Sequence, residues 1–221
     1  MFLGLFQCYL IGFLIFYILF GTKGTKNPTL HAPYTQIFHN FAYDMGKCMI
    51  NPLLEHKVFY EYLPMRYEAN QKEREVRQLV LDFKNGKEDA ILHVASYVAA
   101  YLKGRGITGE AYTFVCLPAS DVTAHHTRYF RFMKLICNEC GFHNGFRFIQ
   151  HLHHTDKIHN TGKRQSFTDY LYFSFALKNR KVIVFDDVVT TGCTFNLFCE
   201  YLTRSGAEVV LGMALAQSVT R

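Results

Sequence analysis

A chain of 221 residues, 49% hydrophobic and 19% charged, carries enough apolar material for one sizeable α/β core, alone or with a small accessory region. Its formal net charge of +6 is modest, and no block of consecutive like charges forms a basic arm. This argues against direct nucleic-acid binding and suits a small, highly phosphorylated ligand.

The chain begins with its most apolar stretch. From Phe2 to Phe20 the only clearly polar side chain is Gln7, and about 20 such residues can cross a bilayer as a helix. The stretch lacks the basic start and small-residue cleavage site of a secretory signal, and Lys23 and Lys26 favour a cytoplasmic C-terminal side. Three readings stay open: a membrane anchor through residues 2–20 with the domain inside the cell, translation from Met45 or Met49, or a buried apolar N-terminus. All three are compatible with a cytoplasmic domain. Gly21 to Tyr34 collects Gly, Thr, Lys, Asn and Pro and reads as a linker. The expected division is residues 1–34 as apolar segment and linker, 35–65 as a small N-terminal hood or extension, and 66–221 as the main domain.

Glu68 to Phe83 places Val76, Leu79, Val80 and Phe83 at helical spacing before Asn85-Gly86, and Ile91 to Leu102 repeats the pattern before Gly104 and Gly106. Short β-branched and aromatic runs follow at Ala111 to Leu117, Val182 to Phe185 and Val209 to Leu215, with helical spacing between them at Ala124 to Cys140 and Thr194 to Arg204. Alternating helices and strands predict an α/β fold with an open, mainly parallel sheet flanked by helices. The seven cysteines, Cys8, Cys48, Cys116, Cys137, Cys140, Cys193 and Cys199, are odd in number and scattered, which predicts reduced thiols rather than a disulfide framework. Cys137 and Cys140 form a CxxC, yet with no second pair at metal spacing they read better as small core residues than as zinc ligands.

The chemistry concentrates in Val182-Ile183-Val184-Phe185-Asp186-Asp187-Val188-Val189-Thr190-Thr191-Gly192-Cys193-Thr194. In an open parallel sheet, ligands bind beyond the carboxyl ends of the strands, which is where Asp186 and Asp187 are delivered. Their oxygens can accept from vicinal ribose hydroxyls. Thr190, Thr191, Gly192, Cys193 and Thr194 then offer backbone N–H groups and hydroxyls at a helix N-terminus, a ready phosphate site, with Gly192 allowing close approach.

All thirteen positions resemble the motif by which type I phosphoribosyltransferases bind 5-phosphoribosyl-1-pyrophosphate (PRPP). The resemblance implies the type I fold, with Asp186 and Asp187 on the ribose hydroxyls and Thr190 to Thr194 on the 5-phosphate. It also implies Mg²⁺, held by Asp186 and Asp187 directly or through water. Purine salvage enzymes of the family usually carry an acid where this chain has Thr190, which argues against a hypoxanthine or guanine acceptor.

Upstream, the strand ending at Leu117-Pro118-Ala119-Ser120-Asp121 resembles the family's pyrophosphate loop, in which the N–H groups of Ala119 and Ser120 could meet an anion. An ordinary strand-to-helix loop capped by Ser120 or Asp121 fits the same residues. Between Val122 and Gln165, seven Arg or Lys residues face two acids, Glu139 and Asp156, giving a local positive field. Arg128, one helical turn from Arg131, suits phosphate oxygens. His151 to Ser166 is polar and aperiodic and reads as a surface loop. In such enzymes a loop closes over PRPP, which would bring Lys163 or Arg164 against the departing pyrophosphate and exclude water. Its histidines fit no standard zinc spacing.

The helix through Val76-Arg77-Gln78-Leu79-Val80-Leu81-Asp82-Phe83-Lys84-Asn85-Gly86, the Pro118 loop, the Arg-bearing helix and the Thr-Thr-Gly motif together resemble the ComF-like branch over residues 66–221. The four-cysteine zinc ribbon that begins many ComF-like proteins has no counterpart here. Two functions follow from the resemblance: a Mg²⁺-dependent transferase that passes the phosphoribosyl group to a nitrogen nucleophile, or a non-catalytic PRPP-binding protein of regulation or DNA uptake. Either is compatible with a homodimer, and neither names the acceptor.

Overall fold

The computed structural model describes residues 55–151 and 171–220, all within the compact unit Asp44–Arg221. The apolar stretch 2–20 and the loop carrying Lys163 and Arg164 lie outside the described residues.

Five parallel strands form the central sheet: β1 (His56–Tyr62), β2 (Tyr112–Cys116), β3 (His143–Asn144), β6 (Lys181–Val189) and β7 (Glu208–Ser218), in the spatial order β1-β7-β6-β2-β3. A separate antiparallel pair joins β4 (Ile149–His151) to β5 (Leu171–Phe173). Among the described residues there are four α-helices: α1 (Gln71–Lys84), α2 (Glu88–Gly104), α3 (Val122–Cys140) and α4 (Cys193–Arg204). The expected α/β architecture with a parallel sheet flanked by helices is therefore present. The segment assigned above to a hood supplies the edge strand β1, which pairs with β7 from His56 opposite Gly212 to Tyr62 opposite Ser218.

Alternation along the strands sorts their side chains into two cores. Phe114, Ile183, Phe185, Leu211, Met213 and Leu215 face α1, α2 and α3, where Phe83, Tyr129 and Phe132 are fully buried. Val115, Val182 and Val184 face the other way, against Phe195, Phe198 and Leu202 of α4 and against Ile149 and Leu171 of the small hairpin. In the first core Phe83 and Phe132 meet edge to face with centroids 5.1 Å apart, and Phe132 and Phe185 pack as a tilted pair 4.7 Å apart.

Local chemistry fixes the helix ends that matter for the site. Asn70 and Glu73 form a capping box that starts α1. The helix stops at Asn85-Gly86, where Gly86 has φ +70° and a side chain would sit 2.7 Å from the Thr127 carbonyl oxygen. This glycine lets the end of α1 press directly on α3. Arg77, 8% exposed, holds the preceding segment from inside: its Nε donates to the Leu63 carbonyl at 2.5 Å, and its Nη2 donates to the carbonyls of Pro64 and Tyr67 at 2.7 Å each.

Candidate functional site

The carboxyl ends of β2 and β6 lie side by side, with Cys116 opposite Phe185. β6 does not stop at Phe185. Its pairing with β7 continues through Asp186 opposite Ala214 to Val189 opposite Gln217, so the two acids belong to the strand.

Asp186 lines a pocket of about 210 Å³ with Leu117, Val188, Val189, Thr190, Gly192, Thr194 and Phe195. Thr190, Thr191 and Thr194 are exposed, and Gly192, at φ +81°, turns the chain into α4, whose start carries no side-chain cap. Cys193 is the first residue of that helix, and its N–H lies 3.4 Å from Thr191 Oγ1. Gln217 Nε2 donates to the Thr190 carbonyl at 2.8 Å and ties the turn to β7. The structure thus brings Asp186 and the Thr190–Thr194 turn together around one cavity.

Asp187 is not among the residues lining that pocket. Its side chain, 6% exposed, is ion-paired to Arg128 of α3 and lies 3.5 Å from Lys84 Nζ at the end of α1. Tyr129, fully buried, places its hydroxyl 3.3 Å from Asp187 Oδ2 and 3.4 Å from Asp186 Oδ1. Asp186 Oδ1 also accepts from the Asp187 N–H at 2.8 Å. Burial, then the neighbouring Asp187 charge, pushes the Asp186 carboxyl up to about 7, against the opposing pull of the Asp187 N–H, Lys84 and the Tyr129 hydroxyl. Burial and the two carboxylates raise Tyr129 well above the usual phenol value, so it serves as a neutral donor.

The Pro118 loop takes the form of a capped strand-to-helix connection. Asp121 accepts from the Ala124 N–H at 2.8 Å as the N-cap of α3. Pro118 and Ala119 are buried, and the Ala119 N–H, expected to be exposed, lies 3.4 Å from His125 Nδ1 instead. Ser120 is exposed, with its hydroxyl 3.1 Å from Asp121 Oδ2. His125 stacks on Phe146 at 4.9 Å. Arg131 pairs with Glu88 on the surface and stays apart from the acids.

Lys84, Tyr129 and His125 are the site neighbours that sequence reasoning missed. Lys84 and Tyr129 lie in helices that were read correctly, but nothing local says which helix ends meet β6. Cys116, Cys137, Cys140 and Cys199 are buried free thiols, as the cysteine pattern predicts, but Cys193 at the start of α4 is disulfide-bonded, which corrects the expectation that all the thiols are reduced.

Among the described residues no group of three or more His, Cys, Asp or Glu side chains is placed to hold a metal ion, and no helix is long and apolar enough to cross a membrane. Asp187 is already ion-paired to Arg128 and Lys84, so Asp186, at the pocket, is the carboxylate that would reach a hydrated cation there.

No protein-family model matches this chain, and no curated protein matches it with significant similarity.

Proposed function

We propose that this domain is a type I phosphoribosyltransferase of the ComF-like branch, which binds PRPP with Mg²⁺ and transfers its phosphoribosyl group to a nitrogen nucleophile. One observation carries the reading: Asp186 shares a cavity with Thr190, Gly192 and Thr194 at the carboxyl edge of a parallel sheet, beneath an uncapped helix start. A ribose hydroxyl would donate to Asp186 there, and the 5-phosphate would accept from the N–H groups and hydroxyls of Thr190, Thr191, Cys193 and Thr194. The volume of about 210 Å³ suits the ribose 5-phosphate part, leaving the pyrophosphate to the side of the Pro118 loop and Arg128.

In the transfer, the acceptor nitrogen forms a bond to C1 of the ribose as the bond from C1 to the pyrophosphate oxygen breaks. That oxygen takes the electron pair, and the acceptor's proton passes to solvent. Mg²⁺, reached by Asp186 and Asp187 directly or through water, would supply neutralisation of the leaving group. Asp187 acts as counter-ion to Arg128 and Lys84, and Tyr129 holds the two carboxylates in register.

The second reading, a non-catalytic PRPP-binding protein, is favoured by Thr190. Its exposed side chain stands where purine enzymes of the family direct an acid at the acceptor, so the motif offers no acceptor-directed group.

PRPP with Mg²⁺ is expected to raise the melting temperature, because a ligand that binds only the folded state stabilises it. The double substitution Asp186→Asn with Asp187→Asn should abolish the shift, and a parent protein that shows no shift refutes the binding claim. Pyrophosphate release measured with PRPP and a panel of nucleobases separates the two readings. Release above the no-acceptor background identifies a transferase; release only at background identifies the binding protein.

A further inference from the structure

We infer that Lys84 is a pyrophosphate-binding residue, forming with Arg128 a pair of cations that Asp187 holds in place for the ligand's polyanionic end. The inference rests on the reading of the neighbouring pocket as a PRPP site and names the side chains that take the leaving group.

Two cations converge on one carboxylate. Lys84 approaches Asp187 Oδ1 at 3.5 Å, longer than a charge-assisted hydrogen bond, and its side chain is 36% exposed at the end of α1. Arg128 meets Asp187 through Nη1, while its Nε is buried and has no hydrogen-bond partner. A guanidinium offers five donors and an ammonium three, so donors remain on both groups after Asp187 is satisfied. A buried unpaired donor is costly unless an acceptor arrives, and a phosphate oxygen is such an acceptor.

The placement is rigid. Gly86, two residues after Lys84, lets α1 end against Thr127, the residue before Arg128, so the two cations are fixed relative to each other by a direct helix contact. Tyr129, the residue after Arg128, reaches Asp186 of the ribose pocket at 3.4 Å, which makes the cation pair contiguous with that pocket. Two further cations near this cluster are engaged elsewhere: Lys87 with Asp82, and Arg131 with Glu88.

The test is calorimetric titration of the full chain, with Mg²⁺ present, using inorganic pyrophosphate and ribose 5-phosphate as separate probes. Lys84→Gln is expected to weaken pyrophosphate by about ten- to a hundredfold, the value of one charge-assisted hydrogen bond, and to leave ribose 5-phosphate unchanged. Lys84→Arg should restore most of the pyrophosphate affinity, which a merely structural role for Lys84 does not require. Unchanged pyrophosphate affinity in Lys84→Gln, or equal loss for both probes, overturns the inference. A measurement on the parent protein guards against a variant that does not fold: pyrophosphate should protect Lys84 from acetylation, read by mass spectrometry, whereas ribose 5-phosphate should not. Equal labelling with both also overturns it. If the parent binds PRPP and ribose 5-phosphate while pyrophosphate binding ignores Lys84, this inference alone fails. If pyrophosphate binding depends on Lys84 while PRPP and ribose 5-phosphate do not bind, the transferase reading alone fails.

Discussion

Replacing Arg77 by methionine tests whether the chain leading into α1 is fastened from the inside. Methionine keeps most of the aliphatic volume but removes the fork that donates to Leu63, Pro64 and Tyr67. Leu63 is 2% exposed, so its carbonyl loses a charged donor with no water to replace it, whereas Pro64 and Tyr67 are half-buried and recover part of their hydration. With about 1.5–3 kcal/mol for a hydrogen bond from a charged donor, one counted in full and two in part, the expected loss is about 3–5 kcal/mol. For a domain of this size that lowers the melting temperature by about 10 °C. Urea denaturation followed by circular dichroism measures it directly, and Arg77→Lys should fall between parent and methionine because one ammonium cannot satisfy three divergent carbonyls. A loss below about 1 kcal/mol for Arg77→Met would refute the reasoning and place the hold on β1 and α1 in apolar packing alone.

Gly86→Ala should cost more than Gly106→Ala, although both glycines have nearly the same φ, +70° and +69°. Each substitution carries about 1–2 kcal/mol for the left-handed conformation, but at residue 86 the new methyl also meets Thr127 at 2.7 Å while at residue 106 nothing lies within 4 Å. Equal losses on chemical denaturation would show that α1 and α3 can part without cost. Because the folded-state carboxyl of Asp186 is raised to about 7 from 3.8, the native chain holds a proton there that the unfolded chain has released, so Asp186 lowers stability as pH rises from about 4 to about 7. Asp186→Asn should therefore gain stability relative to the parent between pH 5 and pH 8. Denaturation midpoints that run parallel across that range would remove Asp186 as the source.

The sequence by itself determined the parallel α/β class and the helices that cover one face. Apolar spacing at Val76, Val80 and Phe83 and at Ile91, Val94, Val98 and Leu102 is local, and the same residues are buried. Four apolar residues, two acids and a Thr-Gly turn also specified a buried strand carrying two carboxylates toward a helix start, as the structure has them. The edge strand β1 escaped notice. His56, Lys57, Glu61 and the tyrosines around them lack a clean alternation, and the pairing that makes them a strand lies with β7, far along the chain.

Only the tertiary structure decided how the acids are used. A strand read as ending at Phe185 leaves Asp186 and Asp187 free to point the same way. Ladder bonds to β7 extend it to Val189, with Asp186 lining the pocket and Asp187 paired to the cations, while the Tyr129 hydroxyl stays within 3.4 Å of both carboxylates. Whether Arg128 meets a carboxylate or solvent, and whether Lys84 joins it, depends on where α1 and α3 cross above β6. That crossing is set by the packing of Phe83, Tyr129, Phe132 and Phe185 and by a glycine that allows close approach. Contacts between segments so distant along the chain leave no periodicity in any single stretch, so the charge balance of the site was not legible before the helices were in place.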